Sequence, residues 1–301
     1  MSQVLEAQVG QTIREQFAGT DVTKLPLTGP DGLRTDLYGL FTDSGEHVPR
    51  SAVTKRYLPH TVDDIAALAE AAAVGFDADS NASVQCRWTG AQHKVVLGPT
   101  MRHQATIANP MDKIWPRVVI TGGFNGTGFV AEAGMFRFAC SNLQMIRQVN
   151  GCRVSFKHTD SLRNRIDELV VNFRNLAGKW QEVVDFSVAL NQQTVATDEF
   201  IDRLYPLRDD ANLRQVRDAR NRGRQIVQQV IRERQKLGLP GQLDVEQATL
   251  WELVNAVTHR VQHNKTRKGI SAGDGVSRAF AGFNDAESIK AWEHAASYLA
   301  A

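Results

Sequence analysis

Basic side chains are the residues whose types and spacing in this sequence best fit a chemical role. Between residues 133 and 165 the chain has six lysines and arginines against one acid, Asp160, although its total charge is only +2. Cationic groups concentrated in this way contact phosphates, so the stretch predicts a nucleic-acid surface, with a solvated sheet face as the alternative. The six residues are Arg137, Arg147, Arg153, Lys157, Arg163 and Arg165.

A second basic stretch, residues 208–236, carries nine lysines and arginines against four acids. Its pattern is helical, and Arg217, Arg220 and Arg224 follow one another at spacings of three and four, which places them on one helix face. Such a face suits a row of phosphates, although an ordinary surface helix shows the same pattern. The loop at residues 264–276 is similar in kind and contributes Lys265, Arg267 and Lys268.

Aromatic and histidine residues complete this predicted surface. Arg56 and Tyr57 precede a predicted helix, and Lys157 is followed directly by His158. Because exposed aromatic rings stack on unpaired bases, we expect Tyr57 to contact a base while the neighbouring cations contact phosphates.

Other chemistries have weaker support. His259 and His263 have metal-ligand spacing on a predicted helix, but no HExxH pattern and no third ligand accompany them. The glycine-rich segment at residues 122–128 is neither a P-loop nor a dinucleotide-binding motif. Cys140 has the parity of the apolar face of its strand, which disfavours a nucleophile. The sequence therefore favours a binding protein over an enzyme, and it predicts no metal and no cofactor.

The elements that must position these side chains centre on residues 116–158. Alternation of apolar and polar residues there predicts an antiparallel sheet with one apolar face and one basic face. Phe136 is placed on the apolar face and Arg137 on the basic face, while Asn142 is expected in a turn. Residues 153–157 form a further alternating strand.

Helical patterns dominate the remainder of the chain. Thr61 begins a capping-box helix that ends at Gly75, and Thr197 and Asp244 are expected to cap two later helices. A sheet followed by helices indicates an α+β fold. The predicted divisions are an N-terminal arm or lead-in (1–47), an α/β core with the antiparallel sheet (48–158) and a helical region packed on the sheet (159–301).

Length and composition limit the function further. At 301 residues, with 42% hydrophobic and 23% charged residues, the chain can bury a globular core. No run approaches the ~18 apolar residues of a membrane span, and the N-terminus lacks the form of a signal peptide. Three cysteines without CxxC spacing fit reduced thiols. We therefore expect a cytoplasmic protein with no membrane partner.

The most specific motif of the chain is FRFACSN at residues 136–142. Together with the matches given below, it resembles one protein family, the DUF932 family of phage- and plasmid-like proteins, from about residue 48 to the C-terminus. The turn at residues 124–128 lacks the histidine and aspartate of the family pattern, which argues against an acid–base role for it. The accompanying matches are Arg56, Tyr57, Gly75, Phe76, Lys157, His158, Trp251 and Asn255.

The resemblance implies a protein of prophages, plasmids or bacteriophages that acts inside a bacterial host cell. The order of elements in the family is similar to the core of the single-strand annealing proteins of homologous recombination. With the basic surface, this predicts nucleic-acid binding, single-stranded DNA favoured, for annealing in recombination or replication. The alternative is a protein-binding module that interferes with a host defence or regulatory complex. An enzyme acting on nucleotides has less support, and a homo-oligomer is left open.

Overall fold

The structure is a computed structural model, and within the described residues the chain forms two compact units that interleave along the sequence. Unit 1 comprises Met1–His103, Pro116–Gly134 and Val149–Trp180, and unit 2 comprises Gln104–Trp115, Met135–Gln148 and Gln181–Ala301. The described residues are 2–79, 82–98, 100, 102–126, 128–137, 142–145, 153–158, 166, 168, 170, 171, 176–239, 245–264 and 285–300.

Antiparallel strands occupy mainly the N-terminal half of the chain and helices mainly the C-terminal half, which confirms the predicted α+β class. The strands are β1 (Val22–Thr28), β2 (Arg34–Thr42), β3 (Val53–Thr54), β4 (Ser83–Trp88), β5 (Gln92–Gly98), β6 (Ala105–Thr106), β7 (Lys113–Gly123), β8 (Phe129–Arg137), β9 (Asn142–Met145), β10 (Arg153–Phe156), β11 (Thr194–Ala196) and β12 (Gln247–Thr249).

The helices vary widely in length, and none that the structure describes is both long enough and apolar enough to cross a bilayer. They are α1 (Ser2–Gln16), α2 (Val62–Gly75), α3 (Leu176–Gln192), α4 (Thr197–Leu204), α5 (Leu213–Lys236), α6 (Leu250–His259), which continues into a π-helical turn (Arg260–Asn264), and α7 (Ala286–Leu299).

The helices of unit 1 form because of local capping and a buried apolar stripe. The Thr61 hydroxyl accepts a hydrogen bond from the Asp64 N–H at 3.2 Å, and the Asp64 carboxylate accepts one from the Thr61 N–H at 2.7 Å. This confirms the predicted capping box, and α2 ends at Gly75 as predicted. Helix α1 packs against α2 through Ile13, which is fully buried, and through Arg14, whose guanidinium contacts two carboxylates of α2.

The segment predicted as an irregular or short-stranded lead-in contains two long strands. Strands β1 and β2 pair from Val22 opposite Thr42 onward, and β3 joins β2 as a third strand. Leu40 of β2 is fully buried and packs in one cluster with Phe124. Residues of the predicted N-terminal arm thus contribute to the core of unit 1.

The larger sheet has the order β10–β8–β7–β5–β4, with β6 paired to β7 and β9 paired to β8. The pairs β10–β8, β4–β5, β5–β7 and β6–β7 are antiparallel, as predicted, and Gly90 takes a positive φ in the turn between β4 and β5. The prediction of a turn at Asn142 is wrong, because this residue begins β9. Pairing with a neighbouring strand outweighs the turn preference of an asparagine.

In unit 2, two predicted caps are displaced. Ala196 rather than Thr197 is the N-cap of α4, and the Thr197 N–H instead donates to the Glu246 carbonyl oxygen at 2.9 Å. Helix α6 begins at Leu250 with Thr249 as its cap, because β12 occupies the residues that precede it. The predicted cap Asp244 lies outside the described residues.

Gly122 of β7, in the larger sheet, lies in close contact with a buried side chain of unit 1. A Cβ at this position would overlap the imidazole ring of His60. We expect Gly122→Ala to lower the free energy of unfolding by about 1–3 kcal/mol, because the ring or the strand must move. Denaturant-induced unfolding followed by circular dichroism measures this loss.

Gly178→Ala in α3 is the matched control. A Cβ there meets no described atom within 4 Å, and alanine in a helix is expected to stabilise by up to about 1 kcal/mol. Equal losses of stability in the two variants would contradict the close-approach explanation for Gly122.

Candidate nucleic-acid interface

Helix α5 combines a well-capped start with weak tertiary support in its first three turns. Asn212 and Gln215 form a reciprocal capping box, with hydrogen bonds of 3.0 Å and 2.9 Å between the side chain of each and the backbone N–H of the other. The buried residues of the helix begin only at Gly223, which packs against Ile201 of α4. The first part of α5 therefore has no fully buried residue, and its Asp218 and Ala219 line a pocket together with Tyr205.

The solvent side of this helix carries a row of exposed arginines. Arg217, Arg220 and Arg224 are all exposed, as the sequence predicted for a common face, and at 3.6 residues per turn they fall within about 60° of one another. Asp218 lies on the flank, with a carboxylate oxygen 3.8 Å from Arg214 Nε and another 4.0 Å from Arg217 Nε. We call the exposed residues within about 60° of Arg217 the arginine face: Leu213, Arg214, Arg217, Arg220, Asn221, Arg224, Gln228, Arg232 and Gln235.

Unit 1 brings four other predicted residues together. The rings of Tyr57 and His158 stack at 4.9 Å, and the Leu58 N–H donates to the His158 carbonyl oxygen at 3.2 Å. Their sequence neighbours Arg56 and Lys157 are both exposed, so this corner of unit 1 is basic. The expected exposure of the two rings is wrong: Tyr57 is half-buried and His158 is 6% exposed. Neither ring offers a free face for stacking on a base.

His158 begins a chain of buried rings that the sequence did not predict. His60 Nδ1 lies 3.0 Å from His158 Nε2, and His60 Nε2 lies 3.0 Å from His93 Nδ1. His93 Nε2 in turn lies 2.7 Å from the Thr20 hydroxyl. Aromatic side chains surround this histidine chain: Phe17, Tyr57, Trp88, Phe124 and Phe129.

The direction of every hydrogen bond in the histidine chain follows from Thr20. Its single hydroxyl proton is donated to the Phe17 carbonyl oxygen at 2.7 Å, so the hydroxyl must accept from His93 Nε2–H. A neutral imidazole has one donor and one acceptor, and His93 Nδ1 must therefore accept from His60 Nε2–H. By the same step His60 Nδ1 accepts from His158 Nε2–H. All three rings thus carry their proton on Nε2.

Burial keeps these rings uncharged. Desolvation lowers the pKa of His93 to about 3 and that of His158 to about 4. The pKa of His60 is also well below its ordinary value, because of burial and then because of the two neighbouring histidines. A second proton on His60 or His93 would place two N–H groups against each other, and a second proton on any of the three rings would bury a charge.

Arg137, the strongest candidate of the sheet by sequence, is 0% exposed, and the prediction that it lies on an open basic face is wrong. Its Nε and Nη2 donate to the two oxygens of Asp112 at 2.6 and 3.0 Å, and its Nη1 donates to Glu233. The Trp251 indole N–H donates to the same Asp112 carboxylate at 2.9 Å. Period two showed which residues share a face with Arg137 but not which face is buried.

The other predicted residues are only partly described. Arg153 is in β10, opposite Glu132 of β8, but its side chain is outside the description. Ser155, its neighbour on the same predicted polar face, is exposed. Five further predicted contacts lie outside the described residues: Arg147, Arg163, Lys265, Arg267 and Lys268.

The histidine and cysteine side chains considered for metal binding and for nucleophilic chemistry are described next. The His259 and His263 rings lie 4.4 Å apart, and burial first, then nearby positive charge, lowers the pKa of His259 to about 4. No group of three or more potential ligands is placed to hold a metal ion within the described part of the chain. Cys140, which was considered as a nucleophile, lies outside the described residues. Burial raises the pKa of the Cys86 thiol to about 11, so this thiol stays protonated at neutral pH.

The sequence did not predict the histidine chain, because its members lie far apart along the sequence. His60 and His93 are joined across 33 residues and His60 and His158 across 98, so no local pattern links them. Gly122 was the available signal, since a glycine inside a β-branched strand often marks a close approach of another group.

The histidine chain predicts an acid-sensitive stability. Folded pKa values below the unfolded value near 6.5 mean that the unfolded chain binds more protons, so the free energy of unfolding falls as the pH drops below about 6.5. The slope approaches about 1.4 kcal/mol per pH unit for each of the three histidines. Urea unfolding at pH 7, 6 and 5 measures this slope.

His93→Gln removes one titrating ring from the histidine chain and is expected to reduce the slope. A free energy of unfolding that is constant between pH 7 and pH 5 would contradict the buried, neutral chain.

The Arg137 cluster predicts a large loss of stability on truncation. Arg137→Ala leaves the Asp112 and Glu233 carboxylates buried without their cation, which is expected to cost about 3–5 kcal/mol. Arg203→Ala, which removes an exposed pair with Glu199, is the control and is expected to cost less than about 0.5 kcal/mol. Thermal and urea unfolding measure both. Similar losses in the two variants would show that the Arg137 cluster is not a stabilising contact.

Comparison with known proteins identifies the family of this chain. No curated protein and no solved structure matches the chain. The model of the domain of unknown function DUF932 matches residues 50–283, which include the stacked Tyr57 and His158, the buried Arg137 and the whole of α5. The similarity to single-strand annealing proteins stays a prediction. Because the match covers well over half of its 301 residues, the chain belongs to the DUF932 family.

Proposed function

We propose that this protein binds nucleic acid through the arginine face of α5. The observation that carries the proposal is the composition of this face: five exposed arginines, three exposed amides, one exposed leucine and no carboxylate among its nine residues. A surface of this kind attracts phosphates and releases their counterions on binding.

The dimensions of the arginine face suit a polyanion better than a single small anion. Arg217 and Arg224 are seven residues apart, which corresponds to about 10 Å along the helix axis. A DNA duplex carries one negative charge per about 1.7 Å of its axis, so several phosphates lie within reach of this row. Asp218 offsets only part of the charge, since it lies on the flank of the face.

The basic corner of unit 1 offers a second surface for the same ligand class. Lys55, Arg56 and Lys157 are exposed around the stacked Tyr57 and His158 rings. Lys24 fixes this segment by donating to the Lys55 carbonyl oxygen at 2.6 Å. Single-strand annealing in recombination or replication of a mobile element is the form of the proposal that the family resemblance suggests.

A protein-binding module is the second candidate, and one observation favours it. Leu25 pairs with Gly39, and Leu37 is two residues from Gly39, so both leucines lie on the same face of the β1–β2 pair. They are 46% and 44% exposed, while Leu40 on the opposite face is buried. An apolar sheet face of this kind fits contact with another protein.

Charge reversal tests the first proposal. We expect Arg217→Glu, Arg220→Glu and Arg224→Glu together to abolish binding of labelled oligonucleotides, because the phosphate contacts become repulsive. Parent binding is expected to fall steeply as salt is raised from 50 to about 200 mM. Fluorescence anisotropy with single- and double-stranded oligonucleotides measures both effects.

A control triple variant, Arg34→Glu, Arg102→Glu and Arg203→Glu, changes the net charge equally at exposed positions elsewhere. Equal loss of affinity in the two triple variants would show that binding depends only on the net charge of the protein, and it would contradict a specific role for α5. A parent protein that binds no oligonucleotide at low salt would refute the proposal and favour the protein-binding candidate.

A further inference from the structure

The arginine face contains more than phosphate-binding groups. Its midline is a stripe of four exposed residues at spacings of four, three and four: Arg217, Asn221, Arg224 and Gln228. These positions lie within about 60° of one another on the helix. Arginine makes paired hydrogen bonds with guanine, and asparagine and glutamine make them with adenine, in the major groove of DNA.

Two further arginines flank this stripe. Arg214 and Arg220 lie about 60° to either side of Arg217 on the helix surface, and both are exposed. A helix lying in a groove presents such flanks to the two phosphate backbones, while its midline faces the base edges. The arrangement therefore separates candidate base contacts from candidate backbone contacts.

The shape of α5 also fits a groove. Residues 213–222 include no buried position, and the side that carries Arg217 and Arg220 is exposed, whereas Ala219 lies on the side that faces residues 205–208. A helix with its side chains is about 10–12 Å across, and the major groove of B-DNA is about 12 Å wide. The buried residues of α5 begin at Gly223, after these first turns.

The described residues fit a duplex better than a single strand. Proteins that hold single strands stack the bases on exposed aromatic rings. Among the Phe, Tyr and Trp side chains that the structure describes, none is exposed. Tyr205 lies near α5, but it is half-buried and the Arg222 guanidinium covers its ring at 5.4 Å.

The acidic residues around this helix do not interrupt the stripe. Asp218 lies about 100° from Arg217 on the helix and within 4.0 Å of its Nε. Asp209 and Asp210 lie in the turn before the helix, ahead of the cap Asn212. A duplex would thus meet acidic groups at the start and on one flank of α5, but not along its midline.

We infer that α5 enters the major groove of duplex DNA and reads base edges through Arg217, Asn221, Arg224 and Gln228, while Arg214 and Arg220 contact the backbones. This inference rests on the proposed function and names its ligand as a duplex with a preferred sequence.

Selection of bound duplexes from a random-sequence library tests the inference with the full-length protein. We expect an enriched sequence that binds at least about tenfold more tightly than its scrambled duplex and than its own single strand. Asn221→Ala with Gln228→Ala is expected to lower that ratio about tenfold or more, with an unchanged dependence on salt, because neutral contacts are lost.

Two controls separate base reading from charge. Gln225→Ala, at an exposed position off the stripe, is expected to change neither the ratio nor the salt dependence. Arg220→Ala is expected to weaken all duplexes alike and to reduce the salt slope by about one. Alanine favours a helix, and circular dichroism checks that helix content is retained in every variant.

The outcomes distinguish the inference from the proposed function. Salt-sensitive binding without an enriched sequence, or with equal affinity for single strands, overturns the inference and leaves nucleic-acid binding in place. Absence of binding to every library and oligonucleotide at low salt overturns both.

Discussion

The buried contact between Arg137 and Glu233 is the interaction on which the candidate interface in unit 2 depends. Glu233 is in the second half of α5, and Arg137 also holds Asp112, to which the Trp251 indole donates. The next residue of α5, Arg234, donates to the two carboxylate oxygens of Glu252 in α6 at 2.6 and 2.9 Å. These ion pairs fix the C-terminal half of α5, and through the helix they also fix the direction of its N-terminal half, which has no fully buried residue.

In unit 1, hydrogen bonds between neutral side chains, rather than ion pairs, hold the segments beside the basic corner in place. The histidine chain joins the segment before α2, strand β5 and the segment after β10, and it satisfies each buried nitrogen that faces another ring without burying a charge. Gly122 allows His60 to lie against β7. The exposed Arg56 and Lys157 keep their places because the rings beside them are fixed.

Patterns within one element were predictable from the sequence, and contacts between distant elements were not. The capping box at Thr61, the common face of Arg217, Arg220 and Arg224, and the strand at residues 153–156 depend on residues at most seven positions apart. Arg137 was misplaced because its burial depends on Glu233, which is 96 residues away. Tyr57 was misplaced for the same reason, since the ring that covers it follows β10.

The lack of fully buried residues in the first turns of α5 also has a consequence for helix–coil energetics. Arginines three and four residues apart repel one another, and each such pair destabilises an isolated helix by about 0.2–0.5 kcal/mol. Residues 213–222 gain little from burial, so their helical form depends on propagation from the packed half of α5. A polyanion that neutralises the guanidinium groups removes this repulsion, so ligand binding and helix order in these turns are thermodynamically linked.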